Sequence, residues 1–179
     1  MRHLAIVASA AILTAITAGC SSNSSSSTSP STTGAGTTNV RFTAALSPAQ
    51  ETPPIANAES TGSGTATIDF VVTRDASSVI TNAVVNFQVT MQNFPSTAVV
   101  NIAHIHTGVA GVAGPILVNT TTVPGEVVLT NGAGSFSRNN ISMTAAVAQS
   151  IIDNPAGFYF NVHTTLNPGG VMRGQLVKQ

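Results

Sequence analysis

Residues 85–91 read Val85-Asn86-Phe87-Gln88-Val89-Thr90-Met91 and alternate strictly between apolar and polar side chains. Successive side chains of a β-strand point to opposite faces of the sheet, so this alternation predicts a strand with one buried face. The same period of two occurs upstream, over 40–45 and 65–70. Further candidate strands follow at 99–106, 116–120, 126–130, 134–138, 158–165 and 171–177.

Proline- and glycine-rich turns separate these strands, and one segment departs from the period of two. Residues 143–153 (MTAAVAQSIID) place their apolar side chains near helical spacing and stop before Asn154-Pro155, which predicts a short helix. About eight to nine short strands with one short helix predict an all-β fold, either a Greek-key β-sandwich or a barrel. The loop over 47–63, which contains Gln50 and Glu51, is long for a hairpin and is a candidate functional segment.

The composition of the chain excludes several classes of function. It has 179 residues, six Lys+Arg against six Asp+Glu, and only 7% charged side chains. A length of this order suits one domain. Nucleic-acid binding draws on clustered Lys and Arg, so a nucleic-acid partner is not expected. A large carboxylate-built calcium array is equally unexpected.

The first 19 residues have the pattern of an export signal. A short basic start is followed by an uncharged apolar run from Leu4 to Ala18 and then by Gly19-Cys20. A spanning helix needs roughly 20 apolar residues, so this run is too short for a good permanent span. The densest apolar run of a chain that is 42% apolar therefore belongs to a segment that we expect to be removed. The cleaved chain would carry five basic and six acidic side chains.

The only cysteine stands where such a signal would be cut. Thr17-Ala18-Gly19-Cys20 resembles the bacterial lipoprotein box, although Thr17 stands where the box usually has an aliphatic residue. The resemblance implies that Cys20 carries the lipid and becomes the first residue of the mature protein; ordinary cleavage that leaves a free thiol is the alternative. Residues 20–39 are rich in Ser and Thr and predict a flexible tether. The expected location is a bacterial membrane, at the periplasmic face of the outer membrane or at the cell surface, with the membrane as partner through the lipid.

Three histidines remain beyond the signal, and their spacing suggests a metal site. His104 and His106 are two residues apart in a predicted strand, so they share one face with Cα atoms roughly 6.5–7 Å apart. His163 lies in another predicted strand, on the face opposite Phe158, Phe160 and Val162. If the two strands are neighbours, the three imidazoles converge, and three His ligands suit zinc or copper. The alternative is that the histidines hydrogen-bond to loops and carbonyls without a metal.

Arg173 and Gln175 share a face of the last predicted strand. An arginine there can anchor a loop or bind a carboxylate, and a structural role is the favoured interpretation. We find no nucleophile elbow and no Ser/His/Asp grouping in the sequence, so no catalytic residues are predicted.

Four motifs in order carry a resemblance to a known family. They are Leu46-Ser47-Pro48-Ala49-Gln50-Glu51, Gly62-Ser63-Gly64-Thr65-Ala66, Ala103-His104-Ile105-His106-Thr107-Gly108, and the C-terminal pair Phe158-Tyr159-Phe160-Asn161-Val162-His163 and Arg173-Gly174-Gln175. Together they resemble the CHRD domain, named for its repeats in chordin, so that residues 40–179 are expected to form one CHRD-like β domain.

The resemblance implies a non-enzymatic binding or structural module of the cell envelope, for which an extracytoplasmic protein is a further expected partner. Two alternatives stay open. One is a copper- or zinc-binding protein that uses His104, His106 and His163. The other is a superoxide dismutase-like enzyme, because the stretch around His104 and His106 is also similar to the copper-ligand strand of copper/zinc superoxide dismutases. That activity ranks last, since the chain lacks a disulfide and a zinc loop rich in His and Asp.

Overall fold

The computed structural model describes residues 35–179, which form ten strands and one α-helix. In chain order they are β1 Gly36–Leu46, β2 Ser63–Arg74, β3 Ile80–Gln92, β4 Val99–Thr107, β5 Ile116–Asn119, β6 Val127–Val128, β7 Gly134–Met143, α1 Ala145–Asp153, β8 Phe158–Thr164, β9 Met172–Gln175 and β10 Val177–Lys178. The predicted signal, Cys20 and most of the predicted tether lie outside the described residues.

The strands form two antiparallel sheets. The first has the order β10-β1-β2-β3-β7, and β2 pairs with both of its neighbours along nearly its whole length. In this sheet β10 returns to lie beside β1, the first of three consecutive strands, which is the Greek-key relation. The second sheet has the order β5-β4-β8-β9, with β6 also paired to β4. The two sheets form a sandwich, which decides between the two predicted architectures.

The hydrophobic core lies between the sheets and follows the alternation seen in the sequence. The inward side chains of β3 are Val85, Phe87, Val89 and Met91, all buried, while Gln88 and Thr90 alternate with them on the more exposed face. Phe87 of the first sheet meets Phe160 of the second, with ring centroids 5.7 Å apart. Aromatic contacts of this kind add to the burial of apolar area and hold the two layers together.

The strand β8 differs from the others because all seven of its residues are buried. Phe158, Phe160 and Val162 face the core, so the alternate residues of β8 must be covered from outside. Segments that connect the strands provide this cover, and the outer face of the second sheet is therefore enclosed.

Several element boundaries differ from the sequence predictions. The strand β1 begins at Gly36, so residues 36–39 belong to the sheet ahead of the predicted strand start at residue 40. The predicted strand over 126–130 is reduced to β6. The predicted strand over 171–177 divides at Leu176 into β9 and β10, which belong to different sheets, so the strand count rises to ten.

The helix α1 begins later than the predicted 143–153. Met143 ends β7, and the hydroxyl of Thr144 accepts a hydrogen bond from the Val147 amide, which caps the helix N-terminus. Ala148 and Ile151 are its buried residues. Within residues 35–179, no helix has the length and apolar content needed to cross a bilayer.

Candidate metal centre

Three adjacent strands place a grid of polar side chains on the outer face of the second sheet. Across the ladders, His104 of β4 lies opposite Asn161 of β8, which in turn lies opposite Arg173 of β9. In the next row, His106, Tyr159 and Gln175 are opposite one another. His163 follows on β8, opposite Ile102. Directly opposed residues share a face, so the period of two in each strand builds this grid.

The structure brings together the three histidines that the sequence singled out. One nitrogen from each of His104, His106 and His163 lies within 4.8 Å of the others, and we call these residues the histidine cluster. All three side chains are buried, with exposed fractions of 1%, 8% and 5% respectively. The pairing of β4 with β8 is what makes them converge.

Hydrogen bonds determine which nitrogen of each imidazole carries its proton. Nδ1 of His106 lies 2.8 Å from the carbonyl oxygen of Gly114, and Nδ1 of His163 lies 2.8 Å from that of Pro168. A carbonyl only accepts, so both Nδ1 atoms carry hydrogen and donate. The opposite nitrogen, Nε2, is then left with a lone pair in each ring.

His104 completes this pattern. Its Nδ1 lies 2.8 Å from Nε2 of His106, which can only accept, so His104 donates this hydrogen bond. The lone pair of His104 therefore resides on Nε2. Nε2 of His104 and Nε2 of His163 are both buried and have no hydrogen-bond partner among the residues described. The cluster thus presents two bare lone pairs and a third that is engaged by a neighbouring histidine.

The surroundings keep the histidine cluster uncharged. Burial lowers the pKa of His104 to about 3, with further lowering from the neighbouring His163 and His106. Burial also lowers the pKa of His106 and of His163, although the hydrogen bonds to Gly114 and Pro168 oppose this shift. Neutral imidazole is the form that binds metal ions.

The chain's match to a known family covers the whole of this site. A family model, described as the CHRD domain, matches residues 42–176. The chain belongs to the CHRD family. No curated protein and no solved structure matches it. Every residue of the histidine cluster and of the surrounding grid lies within the matched region of the CHRD domain.

Arg173 of the CHRD domain supports the cluster from one side. Its guanidinium lies 4.7 Å from the centre of the Tyr159 ring, and that ring stacks on His106 with centroids 4.8 Å apart. Nη1 of Arg173 donates to the carbonyl oxygen of Val112, in the same connection that supplies the Gly114 carbonyl. Arg173 therefore contacts both the aromatic ring that stacks on His106 and the connection that carries Gly114.

Glu51 is the carboxylate partner of Arg173. Nε of Arg173 lies 3.0 Å from Oε2 of Glu51, and both side chains are buried. The N–H is not well directed at that oxygen, and Oε1 of Glu51 has no hydrogen-bond partner within residues 35–179. Burial raises the pKa of the Glu51 carboxyl, while Arg173 opposes that shift. The ion pair between Glu51 and Arg173 holds the loop between β1 and β2 against the grid.

The two glutamines singled out from the sequence have different positions. Nε2 of Gln175 faces the carbonyl oxygens of Gly108, Ala156 and Phe158 at 2.8–3.2 Å, so it joins β9 to two connecting segments. Nε2 of Gln50 donates to the carbonyl of Ala45, and its side chain is exposed. Both line an open cleft of about 230 Å³ beside Glu51 and Arg173, and neither belongs to the histidine cluster.

Sequence reasoning missed three residues that complete this side of the CHRD domain. Tyr159 and Asn161 stand four and two residues before His163 in β8 and share its face, so the period of two could have found them. Glu59 had no such signal. It is buried, and its Oε2 accepts hydrogen bonds of 2.5 Å from Thr164 and from Asn167, which fastens the far end of the loop between β1 and β2.

Proposed function

We propose that this CHRD domain is a non-enzymatic binding module that holds one metal ion, copper or zinc, with His104, His106 and His163. Family membership supports a non-catalytic binding or structural module. The main support for a bound metal is a pair of buried nitrogen atoms, Nε2 of His104 and Nε2 of His163. Neither has a hydrogen-bond partner in the described part of the chain. A buried acceptor left unsatisfied costs about 1–3 kcal/mol, and a metal ion would satisfy both.

The donor set supports the same conclusion. His106 and His163 each donate Nδ1–H to a backbone carbonyl, an arrangement that orients metal-ligating imidazoles and fixes their tautomer. Imidazole nitrogen suits both copper and zinc. Among residues 35–179, this is the one grouping of His, Cys, Asp or Glu side chains compact enough for a metal ion.

We further propose that the module is exported and held at a bacterial membrane by a lipid on Cys20. The support is the sequence of residues 1–20, with its basic start, its apolar run and its single cysteine after Gly19. Acyl chains contribute about 0.8 kcal/mol per buried CH₂, so several chains would anchor the domain firmly. A protein partner outside the cytoplasm stays a prediction.

Metal analysis of the purified full-length protein tests the proposed function. The protein is stripped with a chelator, loaded separately with copper and zinc, and assayed after desalting. We expect one ion per chain, and none in a variant in which the three histidines are replaced by alanine. Thr107→Ala, an exposed position on β4, is the matched control and should bind as the wild type does. Binding that survives loss of all three histidines, or no binding by the wild type, would overturn the proposal.

A further inference from the structure

We infer that the ion held by the histidine cluster is monovalent copper, Cu(I). This inference rests on the proposed metal-binding function and concerns which ion the site selects. It is drawn from the charges around His104, His106 and His163 and from the burial of these side chains.

The cluster offers no negative charge to a bound ion. No carboxylate or thiolate of residues 35–179 joins the three imidazoles as a potential ligand. The groups that accept the Nδ1 hydrogens are also neutral, since both are backbone carbonyls, of Gly114 and Pro168. In many zinc sites a carboxylate accepts the hydrogen bond from the other ring nitrogen of a ligating histidine. That carboxylate adds negative charge near the metal without binding it.

The charged side chains nearest to the histidine cluster do not supply negative charge to a bound ion. Arg173 stacks on Tyr159, behind the ring of His106, and its positive charge is paired with Glu51. The other buried carboxylate, Glu59, accepts hydrogen bonds from Thr164 and Asn167. The Arg173–Glu51 pair is neutral as a unit. Glu59 is bonded to Thr164, which by alternation lies on the face of β8 opposite His163, so neither group neutralises an ion on the three imidazoles.

The cost of burying charge then decides between the candidate ions. The Born cost of moving an ion out of water rises with the square of its charge, so a divalent ion costs about four times as much as a monovalent ion of similar size. Zinc and Cu(II) reduce this cost with anionic ligands or with bound water, but the ligand nitrogens here are enclosed. Cu(I) accepts a small number of neutral nitrogen donors and brings a single charge.

The arrangement of the rings suits such low coordination. The ring of His104 lies between the other two, with centroids 4.6 Å from His163 and 4.7 Å from His106, whereas the outer rings are 6.1 Å apart. The two bare Nε2 atoms belong to His104 and His163, and His106 can join them by giving up its hydrogen bond with His104. One nitrogen of each ring lies within 4.8 Å of the other two, so two or three neutral nitrogens are available to one buried ion.

Competition titrations test this inference with the full-length protein. Cu(I) is titrated without oxygen against a chromophoric Cu(I) chelator, and Zn²⁺ and Cu²⁺ are titrated against chelators of known affinity. We expect Cu(I) to bind more tightly than either divalent ion by about 100-fold or more. X-ray absorption of the copper-loaded protein should show the edge of a low-coordinate Cu(I) ion with nitrogen ligands.

A variant that adds one carboxylate provides a second readout. Asn161→Asp places a negative charge opposite His104 with almost no change of shape, and it should raise Zn²⁺ affinity by about tenfold or more relative to Cu(I). Asn82→Asp makes the same charge change at an exposed position of β3 and should leave the ratio unchanged.

The outcomes separate the two proposals. The inference is supported if the wild type strongly prefers Cu(I) and if Asn161→Asp, but not Asn82→Asp, reduces the ratio of Cu(I) affinity to Zn²⁺ affinity. Equal or tighter binding of Zn²⁺ or Cu²⁺ by the wild type overturns it while leaving the metal site intact. If none of the three ions binds, both this inference and the proposed metal-binding function fail.

Discussion

Nδ1 of His104 lies 2.8 Å from Nε2 of His106, so two histidines on one strand share a single hydrogen bond. In a regular strand, residues two apart have Cα atoms roughly 6.5–7 Å from each other, and their side chains need not touch. Here the two rings approach each other, with centroids 4.7 Å apart, and bring a donor and an acceptor together. The contact holds the cluster in a neutral state, because protonation of His106 at Nε2 would set two donors against each other.

Metal binding should stabilise the fold. A ligand present at a hundred times its dissociation constant adds about 2.7 kcal/mol to the free energy of unfolding when it binds the native state alone. We expect the melting temperature of the metal-free protein to rise on adding copper. The rise should vanish in His163→Ala and persist in Thr107→Ala. An equal rise in His163→Ala would mean that copper binds elsewhere.

The metal-free protein should lose stability in mild acid. The three buried histidines have pKa values below the ordinary value of 6.5, so the unfolded chain binds protons that the folded chain does not. Their contribution is fully present above pH 6.5 and declines as the pH falls towards about 3, the pKa of His104. His104 contributes up to about 1.4 kcal/mol per pH unit within this window, and the lowered pKa values of His106 and His163 act in the same direction.

Urea unfolding between pH 8 and pH 4 measures this dependence. The control is a variant with glutamine at all three histidine positions, which should show a flatter profile. Glu51 titrates in the opposite direction, because burial raises its pKa, but it is present in both proteins and cancels in the comparison. Identical pH profiles would contradict the assignment of neutral, buried histidines.

Removing Arg173 should destabilise the domain strongly. The variant Arg173→Ala leaves the carboxylate of Glu51 buried without its cation, and breaking a buried pair in this way costs about 3–5 kcal/mol. Arg41 and Asp69 provide the matched control, since they form an ion pair whose side chains are 60% and 30% exposed. Arg41→Ala should cost much less than Arg173→Ala, because solvent screens the exposed pair.

Denaturant unfolding of both arginine variants gives the comparison. The double variant Arg173→Ala/Glu51→Gln should recover part of the loss, because the stranded carboxylate is gone. A cost for Arg173→Ala no greater than that for Arg41→Ala would show that the buried pair does not stabilise the loop.

Gly170 should not accept a side chain. Its φ of 125° is unusual for other residues, and a Cβ there would lie 2.7 Å from Nδ2 of Asn161 and 2.9 Å from Oε1 of Glu51. Gly111 also has a positive φ, of 78°, but open space where a Cβ would stand. Gly170→Ala should therefore cost about 1–3 kcal/mol more than Gly111→Ala, measured by thermal or urea unfolding. Equal costs would mean that backbone conformation alone matters at Gly170.

Cys20 should determine the membrane association of the protein. In bacterial cells that process lipoproteins, the wild type should be found in the membrane fraction and Cys20→Ala in the soluble fraction, because the acyl chains have no other attachment site. Ser21→Ala is the neighbouring control and should fractionate with the membrane. Mass spectrometry of the N-terminal peptide would show the added acyl mass. Membrane association of Cys20→Ala would contradict the proposed anchor.

Local sequence patterns predicted the strands because the alternation of side chains along a strand depends on local backbone geometry and not on distant contacts. Phe87 and its neighbours in β3 show this, and so does the shared face of His104 and His106. The boundaries that were wrong depend on distant contacts. Leu176 lies at the point where the chain leaves one sheet and joins the other, and no local signal marks that change.

The sequence by itself determined the all-β class, the family and the residue types available for a metal, because these depend on short-range alternation and on local motifs. Only the tertiary structure decided that β4 pairs with β8, which brings His163 to His104. It also decided that Glu51 would be buried against Arg173 and Glu59 against Thr164 and Asn167. Strand order and loop placement depend on the summed packing of residues far apart in the chain, and the enclosed, uncharged histidine cluster is a product of that packing.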